Sequence, residues 1–264
     1  MIEPYFGLKK RPFTKDIRCD QIFDSYDIRE AFSRLSYIKV HRGIFLLTGE
    51  PGSGKTTLLR KFVDTLNQQT YQHCYTPHVT VSRSELYRQL NSLLRLPMRF
   101  YKSVMFDQVQ SAILDQYQNQ GKVTCIILDE CHLMDHQTLQ ELILLSNFDM
   151  DSKLPFILIL IGQPDLRDML KRRMHEPLNQ RIVLRYHMAG LSLDESKAYI
   201  LHHLKRAGRV DPLFDDTAYE VLHQLAMGLP RKLGNLALAA MTTAMINQSQ
   251  TIDAELILKS SEGL

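Results

Sequence analysis

Short apolar runs alternate with amphipathic segments along the first two thirds of the chain. The apolar runs predict strands at 44–48, 76–82, 123–129, 156–162 and 181–187. Apolar positions at helical spacing predict helices near 27–40, 55–68, 84–94, 104–119, 136–147 and 165–171. Strands that alternate with helices in this way indicate the α/β fold class, with a parallel sheet covered by helices on both faces.

From about residue 192 the pattern changes to helices alone. Ser192 followed by Asp194 and Glu195 is typical of a helix N-cap with acidic residues in the first turn. Further helices are predicted at 215–227, 230–246 and 252–261. We therefore predict three parts, which are an N-terminal entry segment at 1–43, an α/β domain at 44–190 and a small all-helical lid at 191–264.

Composition excludes some classes of protein. Apolar residues make up 44% of the chain and charged residues 23%, as in ordinary globular proteins. The net charge is only +3, so contacts with nucleic acid would have to come from local basic patches. The four cysteines show no C-x-x-C spacing, and we find neither a signal peptide nor an apolar run long enough for a membrane span. We expect a cytoplasmic protein without a membrane part.

A glycine-rich motif lies between the first predicted strand and the helix that follows it. The motif fits G-x-x-x-x-G-K-S/T, in which backbone N–H groups surround a phosphate and the lysine reaches the β- and γ-phosphates. The hydroxyl of Thr56 is a candidate Mg²⁺ ligand. We therefore expect ATP to bind at Gly49, Glu50, Pro51, Gly52, Ser53, Gly54, Lys55, Thr56 and Thr57.

A second motif ends the predicted strand at 123–129, where an apolar run is followed by Asp129 and Glu130. We expect Asp129 to hold Mg²⁺ together with Thr56, and Glu130 to polarise the attacking water. The next residues are Cys131 and His132. For His132 we favour a packing role over one in reporting the nucleotide state.

The two motifs and the helical ending resemble an AAA+ ATPase of the ExeA/TniB/TnsC/MuB-like group. The opening Tyr5-Phe6-Gly7-Leu8 and Arg11-Pro12-Phe13 is similar to that of the ExeA-like branch. The resemblance implies a P-loop NTPase fold with a five-stranded parallel sheet, and ATP hydrolysis with Mg²⁺. It also implies that the entry segment packs on the nucleotide site, where Phe6, Phe13, Ile22 and Phe23 are expected either to wall the adenine pocket or to anchor the segment.

Three further catalytic residues follow from this resemblance. Gln163, after the fourth predicted strand, matches sensor 1, although an Asn, Thr or Ser is commoner there. Arg231 in Gly228-Leu229-Pro230-Arg231 matches sensor 2. Arg181 matches the arginine finger that completes a neighbour's site, which implies a homo-oligomer. The other candidates for the finger are Arg172, Arg173 and Arg185.

Basic residues cluster after the second predicted strand, around Tyr87, Phe100 and Tyr101. In related ATPases this segment often lines a central channel, where lysine and arginine contact phosphates without reading sequence. A solvated helix face is an equally good interpretation, and we expect the aromatic residues to be core. The candidate DNA contacts are Arg83, Arg95, Arg99 and Lys102.

The family group contains transposition regulators and ExeA-type secretion ATPases. Because the sequence ends after the lid, we expect a transposition regulator that forms a ring or helical filament on double-stranded DNA with ATP. Its expected partners are a transposase and, as a further candidate, a target-selection protein. The alternatives are an ExeA-type secretion-pathway ATPase and a helicase-loader-like AAA+ protein.

Overall fold

The computed structural model describes residues 1–77, 79–150 and 152–261. The chain divides into two compact units. We call the first the helical unit; it consists of Met1–Arg29, Glu50–Thr57 and Ala189–Leu264. The second, the sheet unit, consists of Glu30–Gly49 and Leu58–Met188.

The sheet unit is built on parallel strands. These are β1 (Gly43–Gly49), β2 (Tyr71–Thr76), β3 (Val123–Leu128), β4 (Phe156–Gly162) and β5 (Ile182–Met188). Within the described residues they form one five-stranded sheet in the order β2-β3-β4-β1-β5, and each neighbouring pair is parallel. Strands β1 and β4 are buried at every position, as expected for central strands of a sheet covered on both faces. The predicted fold class is therefore confirmed.

The predicted helices agree with the observed ones to within a few residues, whereas the short helices Ile2–Tyr5 and Glu176–Arg181 were not predicted. In chain order they are α1 (Ile2–Tyr5), α2 (Tyr26–His41), α3 (Lys55–Asp64), α4 (Arg83–Leu93), α5 (Lys102–Gln118), α6 (His136–Leu145), α7 (Pro164–Leu170), α8 (Glu176–Arg181), α9 (Leu193–Arg206), α10 (Asp216–Ala226), α11 (Pro230–Ile246) and α12 (Ala254–Ser261). Short 3-10 turns occur at Cys19–Gln21, Cys131–Leu133 and Arg173–His175.

Local capping explains several helix starts. The predicted N-cap at Ser192 is confirmed as a capping box, since the Ser192 hydroxyl accepts from the Glu195 backbone N–H and the Glu195 carboxylate accepts from the Ser192 backbone N–H. Asp135 also caps α6, by accepting from the backbone N–H of Thr138 at 2.5 Å. These bonds satisfy N–H groups that have no partner inside the helix.

The second strand lies earlier in the chain than the prediction of 76–82, at Tyr71–Thr76. It is an edge strand with only Cys74 and Thr76 buried, so its sequence has no continuous apolar run. The β-branched residues after it misled the prediction, and Pro77 has no backbone N–H with which to continue a ladder. Residue 78, inside the predicted range, lies outside the described residues.

The helical unit has its own core, formed by α9 to α12 together with the start of the chain. Phe6 and Leu8 are buried in it, and the ring of Phe13 stacks on His203 with centroids 5.1 Å apart. These contacts agree with the anchoring role considered for the entry segment. None of the described helices has the length and apolar character that a bilayer crossing requires.

Candidate nucleotide-binding site

The glycine-rich loop connects the end of β1 at Gly49 to the start of α3 at Lys55. Gly52 and Gly54 have φ angles of +87° and +105°, which residues with a side chain rarely adopt. The Lys55 ammonium group donates to the backbone oxygen of Glu50 at 3.0 Å, and the Ser53 backbone N–H donates to the same oxygen at 3.1 Å. The loop therefore has a tight backbone turn at the N-terminus of a helix.

The side chains of this loop fit a phosphate group. Ser53 is buried, and its hydroxyl oxygen has no hydrogen-bond partner among the residues that the structure describes. A buried polar atom without a partner is costly, and a phosphate oxygen would supply one. Thr56 is exposed in the first turn of α3, so its hydroxyl is accessible to a metal ion. Because helix N-termini favour anions, the loop suits a nucleotide with Mg²⁺.

Arg231 lies against the glycine-rich loop inside the helical unit. Its backbone N–H donates to the Gly52 oxygen at 3.3 Å. A Cβ atom at Gly52 would lie only 2.8 Å from the Cβ of Arg231, so a glycine is required at this contact. The structure therefore brings together the loop and the arginine that the sequence assigns to sensor 2.

The segment before Arg231 depends on a second glycine. Gly228 has a φ of +68°, and a Cβ there would lie 2.3 Å from the backbone oxygen of Leu191. The Leu191 backbone N–H also donates to the Gly228 oxygen at 2.8 Å. Pro230 then opens α11, as proline often does at the first helical position. The Gly-Leu-Pro-Arg string thus fixes where α11 begins.

Asp129 is held in place at the end of β3. It is buried, and one carboxylate oxygen accepts from the Tyr75 hydroxyl at 2.9 Å while the other accepts from the Glu130 backbone N–H at 2.9 Å. Burial, followed by the bond to Asp129, raises the pKa of Tyr75 above its usual range. Tyr75 escaped the sequence analysis because it lies on β2, the strand whose position was predicted wrongly.

Glu130 has an unusual backbone and an unsatisfied side chain. Its φ of 55° and ψ of 35° are in the left-handed region, which is uncommon for a residue other than glycine. Its side chain is 45% exposed, and Oε2 lies 3.4 Å from Nδ1 of His132. Among the described residues Oε2 is nonetheless a buried atom without a hydrogen-bond partner. Strain of this kind is found at functional sites.

Gln163 is the N-cap residue of α7 and directly follows β4. Its backbone N–H donates to Nδ1 of His132 at 3.4 Å. Strands β3 and β4 are parallel neighbours, so Asp129, Glu130 and Gln163 all follow carboxyl ends at the same edge of the sheet. Ligands of open α/β sheets bind outside this edge.

The candidate arginine fingers differ in their surroundings. Arg181 ends α8 and is partly buried directly before β5. Arg185 donates to the side-chain oxygen of Asn179 at 2.9 Å, so its guanidinium group already has a partner on α8. Arg172 and Arg173 are exposed at the start of the 3-10 turn Arg173–His175. Arg181 stays our prediction for the finger.

The four candidate DNA contacts fall into two pairs. Arg83 and Lys102 approach the buried carboxylate of Glu141, at 3.8 and 2.7 Å. Arg95 and Arg99 are exposed in the loop between α4 and α5. We call residues 95–101 the basic loop.

The aromatic residues of this region differ in burial. Tyr87 is in the core, as expected. The same expectation is wrong for Phe100 and Tyr101, which are 97% and 75% exposed. The reason is that both lie in the basic loop and not on a packed face of α4 or α5.

Comparisons with known proteins agree with this fold. The family model described as the AAA domain matches residues 38–170, about half of the chain. The chain therefore belongs to the AAA domain family, and its fold and motifs are those of an AAA+ ATPase.

One characterised relative extends along nearly the whole chain. General secretion pathway protein A from Aeromonas hydrophila is 31% identical over 255 residues, which cover 96% of this chain and 46% of that protein. The chain thus spans about half the length of this relative. The name of the relative concerns secretion, which is the first of the two alternatives to a transposition regulator.

Solved structures share the fold at low sequence identity. Cdc6p from Pyrobaculum aerophilum matches with a TM-score of 0.71 and 15% identity, over 95% of this chain and 70% of that one. Drosophila ORC bound to DNA matches with a TM-score of 0.69 and 13% identity, over 94% of this chain and 63% of that one. The RuvB Holliday junction branch migration motor from Thermotoga maritima matches with a TM-score of 0.60 and 21% identity, over 93% of this chain and 71% of that one. These likenesses confirm the predicted AAA+ fold.

Proposed function

We propose that this chain binds ATP with Mg²⁺ and hydrolyses it to ADP and phosphate. The observation that carries the proposal is the glycine-rich loop, with the unpartnered hydroxyl of buried Ser53 and the direct contact between Gly52 and Arg231. Gly49 to Thr57 hold the phosphates, and Thr56 and Asp129 hold Mg²⁺. When bound, Mg²⁺ would supply positive charge that offsets the negative charge of the phosphates.

Each residue of the site has a distinct task in this proposal. The ammonium group of Lys55 offsets negative charge on the phosphates. Tyr75 keeps the carboxylate of Asp129 in one orientation. Glu130 accepts a proton from the attacking water, and its unpartnered oxygen is suited to that task because no hydrogen bond has to break first.

The remaining three residues respond to the γ-phosphate. Gln163 acts as sensor 1 at the end of β4, and Arg231 acts as sensor 2 from the start of α11. Arg181 completes the site of a neighbouring subunit, so full activity requires a homo-oligomer. A dependence of specific activity on protein concentration would support this part of the proposal, and a fully active monomer would contradict it.

Separate measurements of ATP binding and turnover test the proposal. Lys55→Ala should abolish binding of a fluorescent ATP analogue and phosphate release together. Glu130→Gln should keep binding but lower turnover by about 10²-fold or more, as expected for loss of a general base. Lys61→Ala, on the same helix as Lys55, is the matched control and should leave both unchanged. Undiminished turnover in Glu130→Gln would refute the assignment.

We further propose that this ATPase works in a secretion pathway. The 31% identity to the Aeromonas secretion protein, over 96% of this chain, supports this role. In this role ATP turnover drives envelope assembly through a partner subunit. Deletion of the gene should reduce secreted protein, and the wild-type gene should restore it while the Glu130→Gln form should not. Unchanged secretion after deletion would contradict the role.

A second candidate is the transposition regulator that assembles on double-stranded DNA and recruits a transposase. One observation favours it, namely the basic loop, in which Arg95 and Arg99 are exposed beside Phe100. Guanidinium groups on an exposed loop suit phosphate contacts that do not read sequence. In this role ATP binding favours a ring or filament on DNA, and hydrolysis disassembles it.

Electron microscopy with a non-hydrolysable ATP analogue, with and without random duplex DNA, separates the two roles. Filaments or stacked rings that need both ligands would support the DNA role, and Arg95→Ala/Arg99→Ala should remove them. Lys153→Ala/Lys171→Ala is the control, with two surface charges removed elsewhere in the sheet unit. Particles that look the same with and without DNA would favour the secretion role. If a hexameric helicase binds the chain tightly, they would favour a helicase-loader role instead.

A further inference from the structure

His132 lies between the two strand ends that carry Glu130 and Gln163. Its side chain is only 9% exposed. Its Nδ1 atom is 3.4 Å from Oε2 of Glu130 and 3.4 Å from the backbone nitrogen of Gln163. A single ring nitrogen therefore approaches both the proposed general base and the residue assigned to sensor 1.

The backbone around His132 holds the ring in this position. The left-handed conformation of Glu130 turns the chain out of β3 and into the 3-10 turn Cys131–Leu133. Cys131 is fully buried and donates from its thiol to the Leu128 oxygen at 3.1 Å. The turn also packs directly on β4, because a Cβ at Gly162 would lie 3.2 Å from the backbone nitrogen of His132.

The nitrogen Nδ1 can serve only one of its two neighbours at a time. As an acceptor it takes the N–H of Gln163, and it then has no hydrogen to give to Glu130. This arrangement agrees with the unpartnered Oε2 of Glu130 among the described residues. As a donor it needs a proton on Nδ1, either taken up from water to give the imidazolium or exchanged through water for the proton on Nε2. It would then bind Oε2 and release the Gln163 N–H.

We propose that His132 is a positioning residue for Glu130. Its Nδ1 alternates between the backbone N–H of Gln163 and the carboxylate of Glu130. The orientation of the Glu130 carboxylate is therefore coupled to the position of Gln163 at the end of β4. This role deepens the proposed ATP hydrolysis and rests on it. It goes beyond the packing role that the sequence favoured, because packing alone does not require a nitrogen at this position.

Substitutions that move or remove the nitrogen test the proposal. An asparagine amide occupies about the position of Nδ1, whereas a glutamine amide reaches toward Nε2. His132→Ala and His132→Gln should lower kcat by about tenfold with the Kd for ATP unchanged within about twofold, and His132→Asn should stay within about threefold of wild type in kcat. His73→Ala, an exposed histidine on β2, is the matched control. Equal kcat values for the asparagine and glutamine variants would overturn the proposal.

A double-mutant cycle shows whether His132 acts through Glu130. In single-turnover measurements, His132→Ala added to Glu130→Gln should cause no further loss, because the base is already absent. A further tenfold loss would overturn the proposal. If the alanine variant does not fold, the contrast between asparagine and glutamine decides, because both are polar and close in size. A wild-type chain without any turnover would refute the proposed function itself, whereas turnover that none of these variants changes refutes only the role of His132.

Discussion

The helical unit should lose stability as pH falls, because it buries a neutral histidine. His203 on α9 is 5% exposed, and its ring stacks on Phe13. Its Nδ1 has no hydrogen-bond partner among the described residues. Burial, followed by the charges of His202 and Arg206, lowers the pKa of His203 to about 3.

The sign and size of the effect follow from proton linkage. An unfolded histidine titrates near pH 6.5, so below that pH the unfolded chain binds a proton that the folded chain does not. The stability is therefore complete above pH 6.5 and is lost progressively as pH falls toward 3. Each pH unit in that window costs about 1.4 kcal/mol, so the loss at pH 5 is about 2 kcal/mol.

Urea unfolding at pH 7.5 and pH 5.0 tests this prediction. The chain has no tryptophan, so the loss of helical circular dichroism is the suitable signal. Between the two pH values the wild-type chain should lose about 2 kcal/mol more free energy of unfolding than His203→Gln, which does not titrate. The difference between pH values removes the constant packing cost of the substitution. His73→Gln, at an exposed histidine, should behave like wild type. The same pH dependence in His203→Gln and wild type would refute the reasoning.

Three further substitutions probe the site. Tyr75→Phe should raise the Mg²⁺ concentration needed for half-maximal ATPase activity by about tenfold, because Asp129, the proposed metal ligand, loses a hydrogen-bond partner. Tyr71→Phe on the same strand should leave that concentration unchanged, and equal Mg²⁺ curves for the two variants would contradict the prediction. Gly52→Ala should weaken ATP binding at least about tenfold, because the new methyl group collides with Arg231 and the φ angle of residue 52 is unfavourable for alanine. Wild-type affinity in a nucleotide titration would show that the contact is dispensable. Gly228→Ala should lower the free energy of unfolding by about 2 kcal/mol or more, because its Cβ would lie 2.3 Å from the backbone oxygen of Leu191. Unchanged urea unfolding curves would count against that contact.

Prediction from sequence worked best where the signal is local. Three features are each encoded within a few residues, so they could be recognised without knowledge of the fold. They are the glycines of the glycine-rich loop, the two carboxylates after β3 and the capping box at Ser192. The central strands were also recognisable, because burial on both faces gives a continuous apolar run. Strand β2 was misplaced because an edge strand has no such run.

The contacts within the site could not be predicted in this way. Tyr75 meets Asp129 only because β2 and β3 pair in a particular register, and His132 meets Gln163 only because β3 and β4 are neighbours. The contact between Gly52 and Arg231 joins residues far apart in the chain. Exposure of Phe100 likewise depends on which neighbours the fold places around the basic loop.

The sequence by itself determined the AAA+ family and the fold class, and it supplied the candidate residues for binding phosphate and metal, because these depend on short motifs and on hydrophobic periodicity. The tertiary structure alone decided which groups lie beside those residues: Tyr75 beside Asp129, His132 beside Glu130, and the start of α11 beside the glycine-rich loop. The physical reason is that hydrogen bonds and close packing require atoms to lie within a few ångströms of each other. For residues far apart in the chain, only strand order, register and helix packing set that distance.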